Sequence, residues 1–159
     1  MAELELRRAP EDRKVYVMDG VGMLRVRGRG RQAALAEADG RRWELVRRGL
    51  FAPLVTATDE TGTVVGVYRS RMRKPGGPLG WAERELQLRR SSTFRQHYVL
   101  SEGEEELALF HGSGRARGKA PISLTIDDPT TLDPGLILFA AYIVRGIVED
   151  LNRVAVVSS

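Results

Sequence analysis

Apolar and polar residues alternate one by one along most of this chain. The clearest stretches are residues 24–27, 42–47, 85–89 and 122–127, in which apolar side chains occupy every second position. Because successive side chains of a strand point to opposite faces, this pattern puts one face on a core and the other in water. It predicts antiparallel strands with one solvated face.

Turn residues separate these stretches at short intervals. Asp19-Gly20, Asp39-Gly40 and Glu102-Gly103 are acidic-glycine pairs, and glycines also punctuate 28–30, 59–62 and 112–114. Such residues supply the positive φ that tight hairpins need. Segments 32–47 and 54–69 share one form, with an acidic-glycine turn between two strands. We therefore expect a meander of about ten to twelve strands, with its clearest loop at 74–80, Lys74-Pro-Gly-Gly-Pro-Leu-Gly80.

The strand pattern stops at Asp127-Asp128-Pro129 and a helix is predicted to follow. Asp133 suits the N-cap and Pro134 the first helical position, where its missing N–H costs nothing. The predicted helix, about 134–151, is apolar on every side until Arg145. Such a helix must be surrounded. The predicted fold is therefore mainly β, a closed or nearly closed antiparallel barrel around a central C-terminal helix, since closure also removes exposed strand edges.

At this point the chain resembles the tubby C-terminal-like superfamily, which includes the LURP-one-related proteins and the phospholipid scramblases. The resemblance rests on the hairpin 55–68 with its acidic-glycine turn, the Asp-rich approach to the last helix, and the helix segment 136–151. It covers most of 14–157. It implies a twelve-stranded barrel threaded by a hydrophobic helix and, from the tubby proteins, phosphoinositide binding. The calcium-binding and palmitoylated segments of the scramblases have no clear counterpart here, so scrambling activity is not expected.

Length and composition indicate one domain. The 159 residues are enough for a core without disulfides, and we expect one domain at 14–159 preceded by a loosely ordered segment, 1–13. There is no cysteine and no secretory h-region, and the longest apolar run, 136–144, is too short to span a bilayer. These features favour a cytoplasmic protein that is at most peripheral to the membrane.

Charge is spread unevenly along the chain. The net charge is +4, but residues 1–100 carry an excess of cations and residues 101–159 an excess of acids. A basic surface can attract a polyanion, or it can serve solubility alone. Both interpretations remain open at this stage.

The densest basic stretch is the best candidate site. Within 69–95, cations outnumber acids by eight to two, and guanidinium groups suit phosphate oxygens. Trp81 and Phe94 flank the loop, where an aromatic ring can enter a lipid interface. The predicted anionic-ligand-binding residues are Arg69, Arg71, Arg73, Lys74, Arg89, Arg90 and Arg95.

Other motifs favour structure over chemistry. Gly118-Lys119 fails the phosphate-loop pattern, because Ser113 and Ala120 stand where glycine and serine or threonine are needed. His97 and His111 lack triad or zinc partners and are predicted to be half-buried strand residues. The aspartates that precede the helix suit turns and a helix cap; they are Asp127, Asp128 and Asp133. An exposed hairpin tip is predicted at Glu104, Glu105 and Glu106. We expect no catalytic residue, metal or cofactor.

The sequence therefore favours a non-enzymatic binding module for anionic phospholipid or a membrane surface. A nucleic-acid-binding or protein-interaction module using the same basic surface is the alternative, supported by Arg25, Arg27, Arg29 and Arg31. Few aromatics are available for base stacking, which disfavours a nucleic-acid partner. An enzyme ranks third, because the helix fills the volume where a barrel would hold a ligand.

Overall fold

A computed structural model of the protein describes residues 2–27, 32–49, 53–71, 76–91, 96–112 and 122–157, without the side chains of Gln96 and 151–157. These residues form a closed antiparallel barrel and one long helix. The strands are β1 (Ala2–Arg8), β2 (Val15–Met18), β3 (Gly22–Arg27), β4 (Ala33–Ala38), β5 (Arg41–Arg48), β6 (Leu54–Asp59), β7 (Val64–Arg69), β8 (Gly76–Trp81), β9 (Arg84–Arg90), β10 (Gln96–Glu102), β11 (Glu105–Gly112) and β12 (Ile122–Ile126). A short 3-10 helix, Pro129–Thr131, precedes the helix α1 (Pro134–Val157).

Each strand pairs with its neighbour in sequence, and β1 closes the barrel against β12 from Ala2↔Ile126 to Leu6↔Ile122. The predicted fold class is confirmed. Because strand direction alternates, the connections fall at two opposite ends. The "loop end" receives the connections that follow odd-numbered strands, 9–14, 28–32, 49–53, 70–75, 91–95 and 113–121. The "turn end" receives 19–21, 39–40, 60–63, 82–83, 103–104 and the approach to α1, 127–133.

The helix α1 fills the barrel along its axis. Leu136, Leu138, Phe139 and Val144 are fully inaccessible to solvent, and Ile143 is 3% exposed. The all-round apolar pattern therefore has the expected cause, a strand wall on every side. The helix begins at Pro134 as predicted, and it continues to Val157, beyond the expected end at 151.

Dense packing holds the start of α1 at the turn end. Asp133 caps the helix by accepting a hydrogen bond from the Gly135 N–H at 2.9 Å, and it also accepts one from Trp81 Nε1 at 3.1 Å. A Cβ on Gly135 would lie 2.6 Å from Trp43 Cζ2 and 2.7 Å from Trp81 Cζ2. Only glycine lets the helix start this close to the two indoles, so this end of the barrel is sealed.

Two expectations about segment boundaries are wrong. The N-terminal segment 1–13 does not lie loosely outside the domain, because Ala2–Arg8 forms the closing strand β1. The expected loop 74–80 is a strand from Gly76 onwards. A Cβ on Gly76 would come within 2.5 Å of the Leu88 carbonyl oxygen, so glycine here permits close strand approach instead of a loop. In the part of the chain described, no helix has the length and apolar character to cross a membrane.

Candidate functional site

Arginines mark the ends of the strands that run towards the loop end. Of the six odd-numbered strands, five finish in arginine. We call these residues the arginine rim: Arg8, Arg27, Arg48, Arg69 and Arg90. From Arg27 to Arg90, consecutive members stand 21 residues apart in the sequence, because each hairpin of the meander has the same length there. The strand register therefore sets cations around the mouth of the barrel.

Part of the rim faces outward. Arg27, Arg48 and Arg69 are exposed. Arg48 and Arg69 are both register partners of Leu54. Two strand spacings put their Cα atoms roughly 10 Å apart. Flexible guanidinium groups at that separation can reach neighbouring phosphate groups on one surface.

The rest of the rim faces the barrel interior. Arg8 and Arg90 share the inward face with Leu6 and Leu88, and both are half-buried. Arg8 Nη2 donates to Tyr16 Oη at 3.2 Å.

Arg90 lies near Tyr98. Burial raises the pKa of Tyr98 to about 12, and the positive charge of Arg90 opposes that rise. These inward arginines make the interior near the loop end polar as well as basic.

Two more arginines extend this polar layer across to the helix. Arg145 is stacked on the Tyr16 ring at 3.9 Å, donates to Tyr16 Oη at 2.7 Å and pairs with Glu149 at 3.0 Å. Arg47 of β5 pairs with Asp150. Its positive charge also opposes the effect of burial, which raises the pKa of Tyr142 to about 12.

A small cavity lies between this layer and the helix. It has a volume of about 50 Å³, and its lining includes Tyr16, Arg47, Tyr68, Tyr142 and Arg145. That volume holds a few water molecules at most. This cavity is therefore too small for a lipid chain or a nucleotide. The exposed cations that a larger anionic ligand could contact at this end are Arg27, Arg48 and Arg69 of the rim.

The predicted basic set is only partly brought together. The Arg71 N–H donates to the Gly76 carbonyl at 2.9 Å, and Gly76 is the register partner of Arg89. The backbones of Arg71 and Arg89 therefore flank one residue near the loop end. The side chains diverge, because Arg89 pairs with Glu106 on the outer wall at 2.9 Å whereas Arg90 points inward. Arg69 and Arg71 remain as exposed cations.

Several predicted positions lie outside the described residues. They are Arg29, Arg31, Arg73, Lys74, Phe94, Arg95 and Gly118-Lys119. The expectation that Trp81 enters a lipid interface is wrong. Trp81 is 3% exposed, and it packs against Trp43 and Phe139 at the turn end.

The turn end has the opposite charge. Its connections, all of them described, contain eight acids and no Lys or Arg. The strands that begin there supply Arg41 and Arg84, which pair with Asp133 and Glu102. Several carboxylates near this end accept local hydrogen bonds. A side-chain hydrogen bond from Thr61 lowers the pKa of Asp59, and one from Thr130 lowers the pKa of Asp128. In the same way, a hydrogen bond from Arg84 lowers the pKa of Glu102. Negative charge is therefore stabilised at this end, as expected of turn and cap residues.

The sequence of the loop-end connections carries the contrast further. The six connections there hold eleven Lys and Arg against Glu11 and Asp12 alone. Among the described residues, the arginine rim and the acidic turns place opposite charges at the two ends of the barrel, and the division between residues 1–100 and 101–159 does not describe this.

Known proteins offer no guide to the site, which is therefore interpreted from its own residues. No family model, curated protein or solved structure matches this chain. The resemblance to the tubby C-terminal-like superfamily stays a prediction.

The other candidate chemistry takes structural positions. Asp133 caps α1, and Asp128 caps the 3-10 helix by accepting from the Thr130 N–H. Glu104, Glu105 and Glu106 are exposed at a hairpin tip. Among the described residues, no group of three or more His, Cys, Asp or Glu side chains is arranged to hold a metal ion.

Sequence reasoning missed three rim residues, Arg8, Arg27 and Arg48, as members of one site. For Arg27 and Arg48 the signal was available in the spacing of 21 residues that they share with Arg69 and Arg90. Arg8 stands 19 residues before Arg27 and does not follow that spacing. Leu86 and Leu88 share a face with Arg90, so strand periodicity alone places Arg90 inside and Arg89 outside.

Proposed function

We propose that this protein is a non-enzymatic binding module that docks its loop end onto an anionic phospholipid surface. The single observation that carries the proposal is the axial separation of charge, with the arginine rim at one end and acidic turns at the other. A bilayer with anionic lipids attracts each nearby Lys or Arg by about 1 kcal/mol. It also repels the acidic turn end, so the same charges that attract the protein orient it.

The placement of α1 supports docking by this end. The helix runs from the sealed turn end towards the loop end and continues to Val157. Its last four residues in sequence are Val154-Ala-Val-Val157. An apolar segment that ends a helix running towards the arginine rim suits an interface in which charge and apolar contact act together.

A nucleic-acid partner is less well supported. Proteins that bind single-stranded RNA on a barrel or sheet usually present aromatic rings for base stacking. In the described part of the chain, no aromatic side chain is exposed. The rim offers contacts to phosphates without a platform for bases.

Vesicle sedimentation tests the proposal. The protein should pellet with phosphatidylcholine vesicles that contain phosphatidylserine, and stay in the supernatant with phosphatidylcholine alone. Pelleting should weaken as salt rises, because screening shortens the reach of exposed charges. The double variant Arg69→Glu/Arg71→Glu should bind about 30-fold more weakly or worse, since it removes at least two attractions of about 1 kcal/mol each.

A matched variant separates position from net charge. Arg7→Glu/Arg42→Glu makes the same change in charge at exposed residues whose guanidinium groups pair with Asp19 and Glu37, away from the rim. It should bind nearly as the wild type does. Equal loss in both double variants, or no pelleting of the wild type at low salt, would contradict the proposal. Capture of single-stranded RNA at physiological salt without vesicle binding would contradict it as well.

A further inference from the structure

Four polar residues lie in one row on the outer wall, away from the rim. Three successive register pairs form the row. Glu5 of β1 pairs with Ser123 of β12, Ser123 pairs with His111 of β11, and His111 pairs with His97 of β10. Their sequence neighbours Leu6, Leu124, Phe110 and Tyr98 are buried in the core. The alternation of strands therefore turns this row outward, and both histidines are half-buried there.

The two imidazoles are in direct contact. Their rings meet edge to face, with centroids 4.3 Å apart and an interplanar angle of 82°. His111 Nδ1 lies 3.2 Å from His97 Nε2. In the absence of a metal, one nitrogen donates a proton to the other, which fixes the facing atoms of both rings.

This spacing matches the edge of a metal coordination tetrahedron. Two Zn–N bonds of about 2.0–2.1 Å at the tetrahedral angle separate the nitrogens by about 3.3–3.4 Å. We propose that His97 Nε2 and His111 Nδ1 form a binding site for a divalent transition metal of the zinc class. Binding requires both rings to turn, so that the two nitrogens that now face each other point at one metal ion, and the donating ring moves its proton to its far nitrogen.

The neighbouring groove suits a cation. Ser123, with its short side chain, separates His111 from Glu5, and a groove follows this part of the wall. Its charged lining consists of Glu3, Glu5, Arg7 and Asp19, together with His111. Arg7 pairs with Asp19 at 2.6 Å, so the two glutamates leave the groove negative. Water completes the coordination, because no third His, Cys, Asp or Glu side chain of the described residues is arranged to hold a metal ion with this pair.

The composition of the chain makes the test specific. His97 and His111 are the only histidines, and there is no cysteine. Untagged protein titrated with Zn²⁺ at neutral pH in a calorimeter should therefore bind one equivalent. His97→Gln and His111→Gln should each abolish this binding. Asp128→Asn, which alters the Asp-rich turn before α1, should leave it unchanged.

Imidazole ¹⁵N spectra of the wild type supply a readout that does not depend on a variant folding. On addition of Zn²⁺, the resonances of His97 Nε2 and His111 Nδ1 should shift, while those of the far ring nitrogens change less. Absence of both heat and shift would overturn the site. Binding that survives in both glutamine variants would overturn it too, because the metal would then lie elsewhere.

Discussion

The two ends of this barrel are held together by different interactions. At the turn end, short acidic turns surround two tryptophans that hold the start of α1, and Asp133 joins the helix cap to Trp81 and Arg41. At the loop end, arginines ring the mouth and continue inside it as Arg47 and Arg145, each paired with an acid of the helix. One end is closed by apolar packing and the other by paired charges.

This difference predicts that the residues responsible for stability and those of the proposed binding surface can be changed separately. Trp43, Trp81 and Gly135 at the turn end tolerate little substitution, because a close-packed interior does not relax fully around an altered side chain. Exposed cations contribute little to folding and are available for a ligand. Variants at the turn end should therefore change unfolding, and variants on the rim should change binding.

The helix links both ends, so the largest effect should come from charging it. Ile143→Asp places a carboxylate at a position that is 3% exposed among apolar neighbours. We expect a loss of at least about 4 kcal/mol in the free energy of unfolding, measured by urea denaturation. Val64→Asp, at a position 54% exposed on β7, should change it little. Wild-type stability in the Ile143 variant would show that the helix is not enclosed.

A smaller effect should follow from opening the turn end alone. Asp133→Ala removes the acceptor for Gly135 N–H and Trp81 Nε1 and the partner of Arg41. The expected loss is about 2–3 kcal/mol in the free energy of unfolding. Asp133→Asn keeps an acceptor oxygen and should lose less. Vesicle binding below the melting temperature should be retained. Loss of binding in this variant would show that the turn end also contributes to binding, which contradicts the account.

The sequence predicts the structure of the turn end better than it predicts the arginine rim. Alternation and turn residues are local signals, so the hairpins, the Asp133 cap and the enclosed helix follow from them directly. The arginine rim is a relation between strands, and it needs the register that pairs Arg48 and Arg69 with Leu54. The contact of His97 with His111 depends on register too, since the two are 14 residues apart in sequence and are joined by a hairpin with a register shift at Leu100/Ser101.

The errors have equally local causes. Residues 76–80 are mostly glycine and proline, which suggest a loop, yet the glycines there serve the close approach of neighbouring strands. The β1 segment does alternate, with Leu4 and Leu6 between polar residues. Its pairing with β12, which closes the barrel, is a long-range contact that this local pattern does not predict. The same glycines and prolines predict a loop around Trp81, whereas Trp81 ends the strand β8 and is buried.

The smallest expected effect is a pH dependence that belongs to the turn end. The folded protein lowers the pKa of Asp59, Glu102 and Asp128 below the usual 3.8 for Asp and 4.5 for Glu. A lowered pKa stabilises the fold above the usual value, and the gain is lost as pH falls through the lowered one. Urea unfolding followed from neutral pH down to about pH 3 should show this decline.

Removing two of these carboxylates tests the assignment. Asp59→Asn/Asp128→Asn should flatten part of the acid decline. Arg48→Gln removes a charge from the rim and no carboxylate, so it should leave the slope unchanged. An unaltered slope in the double variant would place the responsible carboxylates elsewhere.

The separation of the two ends is tested most directly by asking which end meets the bilayer. The chain has no cysteine, so Ser91→Cys at the loop end and Thr63→Cys at the turn end each accept one environment-sensitive fluorophore at an exposed site. With vesicles containing phosphatidylserine, the label at position 91 should shift its emission to the blue and be quenched by spin-labelled lipid, while the label at position 63 stays unchanged. Equal responses from both labels, or a response from position 63 alone, would contradict docking through the arginine rim.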